Sequence, residues 1–311
     1  FTTWAREAKV IMVDIDRAEM KKHTIHVEVP VWADAKDFLE TMNECLEKEA
    51  KPVFPGEDWR TICQNWKQKY PATLPRHWEE RSGCANVFAF IRHLSESLPE
   101  NSLTAVSNGA CCVVGHQNYV IKKGTRFIIN SAIASMGYGL PAAIGLCMAG
   151  EKRDTICLEG DGSIMMNLQE LQTIVTNHLP IKLFLINNQG YHSIRLTQNN
   201  LFKEHTKVGI GPESGDLSFP EYEKIAKAFG FPYYAAHSNE EMKTAVAKAL
   251  AEPGFVFCEI FTDTNQVWEP KSSTKRLPDG TLVSPPLEDL APFLPREELL
   301  ENLYIDPVPE V

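Results

Sequence analysis

The sequence contains no run of about 18 apolar residues, the length a membrane-spanning helix needs. Its opening stretch is interrupted by Arg6, Glu7, Lys9, Asp14, Asp16 and Arg17, so no secretory signal is visible in it either. Basic residues are scarce. The 31 Lys and Arg stand against 41 Asp and Glu, a formal charge of −10, and the densest basic cluster is only Lys271, Lys275 and Arg276. Nucleic-acid backbones are met by clustered Lys and Arg, so a nucleic-acid partner is not expected. The eight cysteines (Cys45, Cys63, Cys84, Cys111, Cys112, Cys147, Cys157, Cys258) form no CxxC pair and have no His at zinc-site spacing. Most sit in apolar stretches and read as buried thiols, which points to a reducing, cytoplasmic setting. The chain lacks an initiator Met and heads at once into a strand, Lys9 to Val13, so it reads as a fragment of a longer protein.

What is present is a globular composition of 311 residues, 43% apolar and 23% charged, longer than one typical domain. KVIMVDID is a short apolar run ending in acids, and Ala35, Phe38, Leu39, Met42 and Leu46 recur at helical spacing. Residues 1–47 therefore read as the closing strand and helix of an α/β domain. Between 48 and 82 the pattern gives way to Pro52, Pro55, Gly56, Pro71 and Pro75 with Trp59, Trp66 and Trp78 among them. That stretch reads as a linker pinned to a domain surface by its aromatic residues.

Residues 83–265 then alternate helix and strand: helix 86–97, strand 103–106, helix 139–148, strand 155–159, helix 164–177, strand 181–186, helices 221–229 and 239–250, and strand 255–261. Strands separated by helical segments of this length predict a parallel sheet with helices on both faces. The proline-rich residues 266–311 read as an extended C-terminal extension ending in a short helix near Glu297.

Strand 155–159 runs directly into Gly160-Asp161-Gly162-Ser163 and a following helix. Glycines let the backbone approach an anion, and the free N–H groups of a helix start attract negative charge. Asp161 would repel a bare phosphate, so a cation has to stand between them. The next strand ends in Asn187-Asn188-Gln189-Gly190, and Asp161 and Asn188 are 27 residues apart, about one strand-helix-strand crossover. One carboxylate, one amide oxygen and a main-chain carbonyl at Gly190 can then converge on a Mg2+ ion, whose octahedral shell leaves room for diphosphate oxygens and water.

Residues EGDGSIMMNLQELQTI, followed by Asn187-Asn188, resemble the diphosphate motif of thiamine diphosphate (ThDP)-dependent enzymes, closest to their acetolactate synthase branch. The segment ASMGYGLPAAIG, from Ala134 to Gly145, is similar to a second motif of that family, and the resemblance covers nearly the whole chain. It implies a ThDP- and Mg2+-dependent 2-oxo acid carboligase or decarboxylase. Asp161, Asn188 and Gly190 would hold the metal, and Gly160, Gly162, Ser163 and Tyr191 would surround the cofactor. Met136 would prop ThDP into its bent shape, backbone groups at Ala134 and Met136 would meet the pyrimidine edge, and Asn108 and Gly109 would line the diphosphate. His192, Ser193, Thr197 and Gln198 would face the substrate.

The same resemblance implies pyruvate as acyl donor, a carbonyl acceptor, and a catalytic Glu in an N-terminal pyrimidine-binding domain that this sequence does not contain. A homodimer or homotetramer follows from it, and FAD stays open. Two departures bear on specificity: Gly109-Ala110-Cys111-Cys112 stands where the synthases carry GQHQ, and Thr197 stands at the position of their acceptor-selecting Trp. The closing residues and NNQGYHSIRLTQ look like a ThDP subfamily of sugar and polysaccharide biosynthesis, which points to a polar acceptor such as a keto-sugar nucleotide. A non-catalytic ThDP-binding homologue is the second reading. The third, an NAD-dependent dehydrogenase, lacks a G-x-G-x-x-G turn after any strand.

Overall fold

A computed structural model describes residues 4–49, 57–80, 83–277 and 279–308. Pro52, Pro55, Gly56 and Ser82 of the proline-rich stretch lie outside the described residues. Contacts divide the chain into two compact units, one of Pro71–Trp268 and one of Phe1–Tyr70 together with Glu269–Val311.

In the latter unit β1 (Ile11–Asp14) pairs in parallel with β2 (Val29–Trp32), and α1 (Ala35–Lys48) starts where the Asp34 carboxylate accepts the Lys36 N–H at 2.7 Å. The stretch read as linker contains α2 (Glu57–Lys69), because Trp59, Ile62 and Trp66 recur at helical spacing among the prolines. Its indoles pack on each other, with ring centroids 5.4 Å apart, and Trp59 lies 5.2 Å from Tyr304. The Trp66 indole N–H donates to Asn302 at 2.9 Å and Lys69 pairs with Glu298 at 2.9 Å. These long-range partners place the C-terminal extension with the N-terminal segment, a grouping that no local pattern reveals.

The Pro71–Trp268 unit runs α3 (Val87–Ser97), β3 (Leu103–Val106), α4 (Ala110–Asn118), β4 (Arg126–Ile129), α5 (Gly139–Ala149), β5 (Thr155–Gly160), α6 (Asp161–Ile164) and α7 (Glu170–Asn177). It continues with β6 (Ile181–Asn187), α8 (His192–Leu201), α9 (Tyr222–Ala228), β7 (Tyr233–Ala236), α10 (Asn239–Ala251) and β8 (Val256–Phe261). The extension adds β9 (Lys275–Arg276), β10 (Leu282–Val283) and the short helix α11 (Arg296–Asn302). Strands β3 to β8 form one all-parallel sheet in the order β4-β3-β5-β6-β8-β7.

Strand residues alternate between two cores, as the two-residue period of a strand demands. Ile156 and Leu158 of β5 and Phe184 and Ile186 of β6 face α3, α4 and α10 in one core. Cys157, Leu183 and Leu185 face α5, α7 and α9 in the other. Phe184 is fully buried, 5.9 Å from Phe90 between ring centroids. Phe184→Ala is expected to lower unfolding stability by about 3–5 kcal/mol in urea titration. A cost under about 1 kcal/mol would mean that this core is not packed as described.

The single helix expected over 164–177 is instead broken in two. The Asn167 side chain donates to the Gly137 carbonyl at 2.7 Å, and the N–H groups of Met166 and Asn167 close onto Ser163 and Ile164, three residues back. A side-chain amide with a better partner outside the helix stops its propagation. Four of the eight cysteines are buried (Cys111, Cys147, Cys157, Cys258), whereas Cys45 and Cys63 are exposed. Among the described residues no helix is long and apolar enough to cross a membrane.

The connection from β3 leads outward through α4 to β4, while that from β5 leads through α6 and α7 to β6 on the opposite side. At such a switch point the two loops part and a crevice opens beyond the carboxyl ends of the strands.

Candidate functional site

A cavity of about 350 Å³ occupies that crevice. Its wall brings together the ends of β3, β5 and β6 and the segment before α5. Asn108 and Gly109 line it from β3, Ala134 and Met136 from the α5 side, Gly160, Asp161, Gly162 and Ser163 from β5, and Asn188, Gly190, Tyr191, His192 and Ser193 from β6.

Asp161 is the buried centre of this wall. Its Oδ1 accepts the Gly162 N–H at 2.9 Å, its Oδ2 accepts the Gly190 N–H at 2.8 Å, and its carbonyl accepts the Tyr222 hydroxyl. One carboxylate thus joins the turn after β5 to the turn after β6. Burial pushes its pKa up to about 7, against the pull of the Gly190 and Gly162 N–H groups and the Arg195 charge. Asn188 lies opposite in role: its Oδ1 is buried and has no hydrogen-bond partner among the described residues. A buried amide oxygen without a donor costs about 1–3 kcal/mol, so an orphan of this kind calls for a ligand.

A divalent cation answers both features at once, since it would ionise Asp161 and satisfy Asn188. The Gly190 carbonyl accepts the His192 N–H at 3.1 Å and has a second lone pair to offer. A carboxylate, an amide oxygen and a main-chain carbonyl are hard oxygen donors, and a hard, oxygen-liking ion would fit such a set.

The surrounding turn is shaped for close approach. A Cβ on Gly162 would stand 2.4 Å from the Tyr191 ring, so the backbone can lie against that ring only as glycine. Tyr191 in turn meets Phe219 edge-on at 5.7 Å. The Ser163 hydroxyl accepts the Gly137 N–H at 2.8 Å and shares a hydrogen bond with Ser107 at 3.0 Å, tying the turn to the MGYG segment. The Asn108 amide donates to the Ala134 carbonyl at 2.5 Å across the cavity, and Ala134 holds φ +55°. A non-glycine residue in that region is uncommon and marks a loop held by its surroundings. Met136 is 43% exposed on the cavity wall, a large apolar side chain with room for a ring against it.

The residues expected on the substrate side divide. Ser193 lines the cavity, but Thr197 and Gln198 do not. Thr197 is exposed and its hydroxyl donates back to the Ser193 carbonyl at 3.1 Å, while Gln198 clamps Val208 through both its amide groups. Thr197, expected to present a hydroxyl-bearing acceptor wall, lies on the exposed side of helix α8, outside the residues that line this cavity. His192 borders the cavity as a buried ring, 5.1 Å from Trp268, and is not a solvated loop residue.

Sequence reasoning passed over Glu159, fully buried and bonded by the Leu140 N–H at 3.1 Å and the Gly160 N–H at 3.2 Å. Burial pushes its pKa up to about 7, opposed by hydrogen bonds from Ser107, Gly160, Ser163 and Leu140. Its signal was legible as an acid inside the apolar strand TICLEG. Cys111, Ile186 and Ile194, which also line the cavity, carried no such signal.

The fold and the site define a parallel α/β module with a cavity at the switch point of its sheet. The family model for the thiamine pyrophosphate enzyme C-terminal TPP binding domain matches residues 107–260. The chain is 31% identical over 271 residues to "Acetolactate synthase large subunit" of Pyropia yezoensis, covering 84% of this chain and 43% of that protein. It is 32% identical over 256 residues to "Acetolactate synthase 3, chloroplastic" of Brassica napus, covering 81% of this chain and 38% of that protein. The chain belongs to the thiamine diphosphate-dependent enzyme family, in its acetolactate synthase-like branch. It spans about two fifths of the length of these curated relatives.

Proposed function

We propose that this chain is the cofactor-holding part of a ThDP- and Mg2+-dependent carboligase or decarboxylase acting on a 2-oxo acid, with pyruvate as donor and a carbonyl compound as acceptor. The observation that carries the reading is the pairing of buried Asp161 with the orphaned Asn188 Oδ1 at the mouth of a strand-end cavity. Bound ThDP supplies the acyl-carrying carbon, and protein groups supply binding, orientation and electrostatics.

On this reading Asp161, Asn188 and the Gly190 carbonyl hold the ion, and Gly160, Gly162, Ser163, Asn108, Gly109 and Tyr191 surround the diphosphate. Met136 would support the bound cofactor from the cavity wall, and the main-chain groups of Ala134 and Met136 would meet its pyrimidine, with the Ala134 carbonyl held by Asn108. Ser193 borders the substrate space. The proton-transferring Glu comes from a pyrimidine-binding domain outside this sequence, in a homodimer or homotetramer. The free thiols suit a reducing compartment, read here as the cytoplasm.

Calorimetric titration with ThDP tests the reading. Binding is expected with Mg2+ present and is expected to vanish on chelation. Pyruvate decarboxylation by the 311-residue chain alone is expected to stay at the cofactor-only rate, because the general acid-base group is supplied elsewhere. Metal-independent ThDP binding, or turnover well above that background, would sink the corresponding half of the proposal.

A further inference from the structure

The fold sets a fully buried arginine behind the loop that carries Asn188. Arg195, on the first turn of α8, is 1% exposed. Its Nη1 donates to the Asn188 carbonyl at 3.0 Å and to His192 Nδ1 at 3.2 Å, and its Nη2 donates to the Gln189 carbonyl at 2.8 Å. Its Nε donates to Glu213 at 3.1 Å, and Lys207 pairs with the same carboxylate at 3.1 Å. A guanidinium has donors only, so His192 Nδ1 must present its lone pair. The ring proton then sits on Nε2, which donates to the Gln266 carbonyl at 2.6 Å. Both ring nitrogens are engaged within the protein, so His192 props the arginine.

The consequence falls on the metal loop. Peptide units are planar, so holding the carbonyls of Asn188 and Gln189 fixes the two planes on either side of Gln189, itself at φ +55°. Those planes determine how the Asn188 side chain leaves the backbone and where the Gly190 N–H points. That N–H reaches Asp161 Oδ2 at 2.8 Å, so one buried side chain orients two of the three groups that face the ion. Only a planar fork of donors spans two successive carbonyls and a ring nitrogen, which a lysine ammonium on its flexible stem does not reproduce.

Resting on the ThDP-Mg2+ reading above, we propose that Arg195 is the positioning residue of the cation site: through the carbonyls of Asn188 and Gln189 it aims Asn188 Oδ1, and thereby gives the site its preference for a small octahedral ion. Mg2+ demands near-ideal octahedral geometry, whereas Ca2+ accepts six to eight oxygens in irregular arrangements. Loosening the loop should therefore penalise Mg2+ far more than Ca2+.

The test is calorimetric titration of the full chain with ThDP in the presence of Mg2+ or of Ca2+, for the unsubstituted protein and for Arg195→Lys. Far-UV circular dichroism and urea midpoints establish folding in parallel. Mg2+-supported affinity is expected to fall about 10- to 100-fold in Arg195→Lys, the usual effect of losing a group behind a metal ligand. Ca2+-supported affinity should fall less than about 3-fold, so the preference between the ions collapses. Equal losses with both ions, or an unchanged preference in the folded variant, overturn the proposal in favour of a purely structural arginine. Arg195→Gln takes over if the lysine variant does not fold, and loss of the fold in both also overturns it. Failure of the unsubstituted chain to bind ThDP with either metal removes the underlying reading and this proposal together. Metal-dependent binding with an unaltered preference removes this proposal alone.

Discussion

Asp161→Ala is expected to abolish Mg2+-supported ThDP binding. The carboxylate is buried and is the only Asp, Glu, Lys or Arg side chain among the residues that line the cavity. Removing one partner of a buried charge pair costs about 3–5 kcal/mol. That corresponds to a fall of more than about 100-fold in affinity. Asp161→Asn separates charge from shape. It keeps an oxygen for only one of the Gly190 and Gly162 N–H groups, sets its own NH2 against the other, and gives the ion no charge. The apo Asn variant should lose no more than about 1–3 kcal/mol, the cost of one unsatisfied buried N–H, because the carboxylate it replaces is itself disfavoured by burial, which pushes its pKa up to about 7. Thermal shift assays with and without ThDP and Mg2+ check both halves: the apo midpoint falls modestly, and the cofactor-induced rise disappears. A full cofactor-induced rise in Asp161→Asn would take Asp161 out of the metal site. Asn188→Ala should weaken binding in the same direction by a smaller factor, since a neutral amide contributes less to the ion.

The largest stability effect is expected at Gly190→Ala. The glycine holds φ +133°, and a Cβ there would stand 1.9 Å from the Ile210 carbonyl oxygen and 3.1 Å from the Gly211 Cα. Both obstacles are backbone, and the backbone there is itself tied down, since the Tyr191 N–H donates to the Ile210 carbonyl at 2.9 Å. Strain from the φ region costs about 1–3 kcal/mol. Overpacking adds about 1–3 kcal/mol more. A total of about 2–6 kcal/mol in urea unfolding is expected, together with loss of the Asn188 orientation and so of metal-supported binding. Gly209→Ala serves as comparison, because its φ is +63° but no atom lies within 4 Å of its Cβ position. It should cost about 1–2 kcal/mol, the left-handed penalty alone. Equal costs at the two positions would mean that the segment 208–211 does not run against the metal loop.

The strands and the cofactor loops were legible because their signals are local. A short run such as IKLFLI, apolar but for Lys182 and bounded by Pro180 and the polar NNQG, favours a strand buried on both faces, and GDGS and NNQG are turns whose residue types state their own chemistry. The elements that escaped notice lack such periodicity. Helix α4, ACCVVGHQN, has no distinct apolar face, β2 carries a proline, and β4 has an exposed first residue. The break between α6 and α7 was invisible because its cause, the Gly137 carbonyl, lies 30 residues from Asn167.

By itself the sequence determined the layered α/β architecture, which follows from spacing along its strands and helices, and, through the resemblance of its motifs, the family. The tertiary structure alone decided which of these groups are partnered. Among the described residues it left Asn188 Oδ1 without a donor, engaged both nitrogens of His192, exposed Thr197 with its hydroxyl on the Ser193 carbonyl, and set Arg195 behind the loop that follows β6. The physical reason is that burial and hydrogen-bond satisfaction depend on neighbours from distant parts of the chain. A residue's chemistry is written in its type, but whether that chemistry is free to act is settled only when its surroundings are in place.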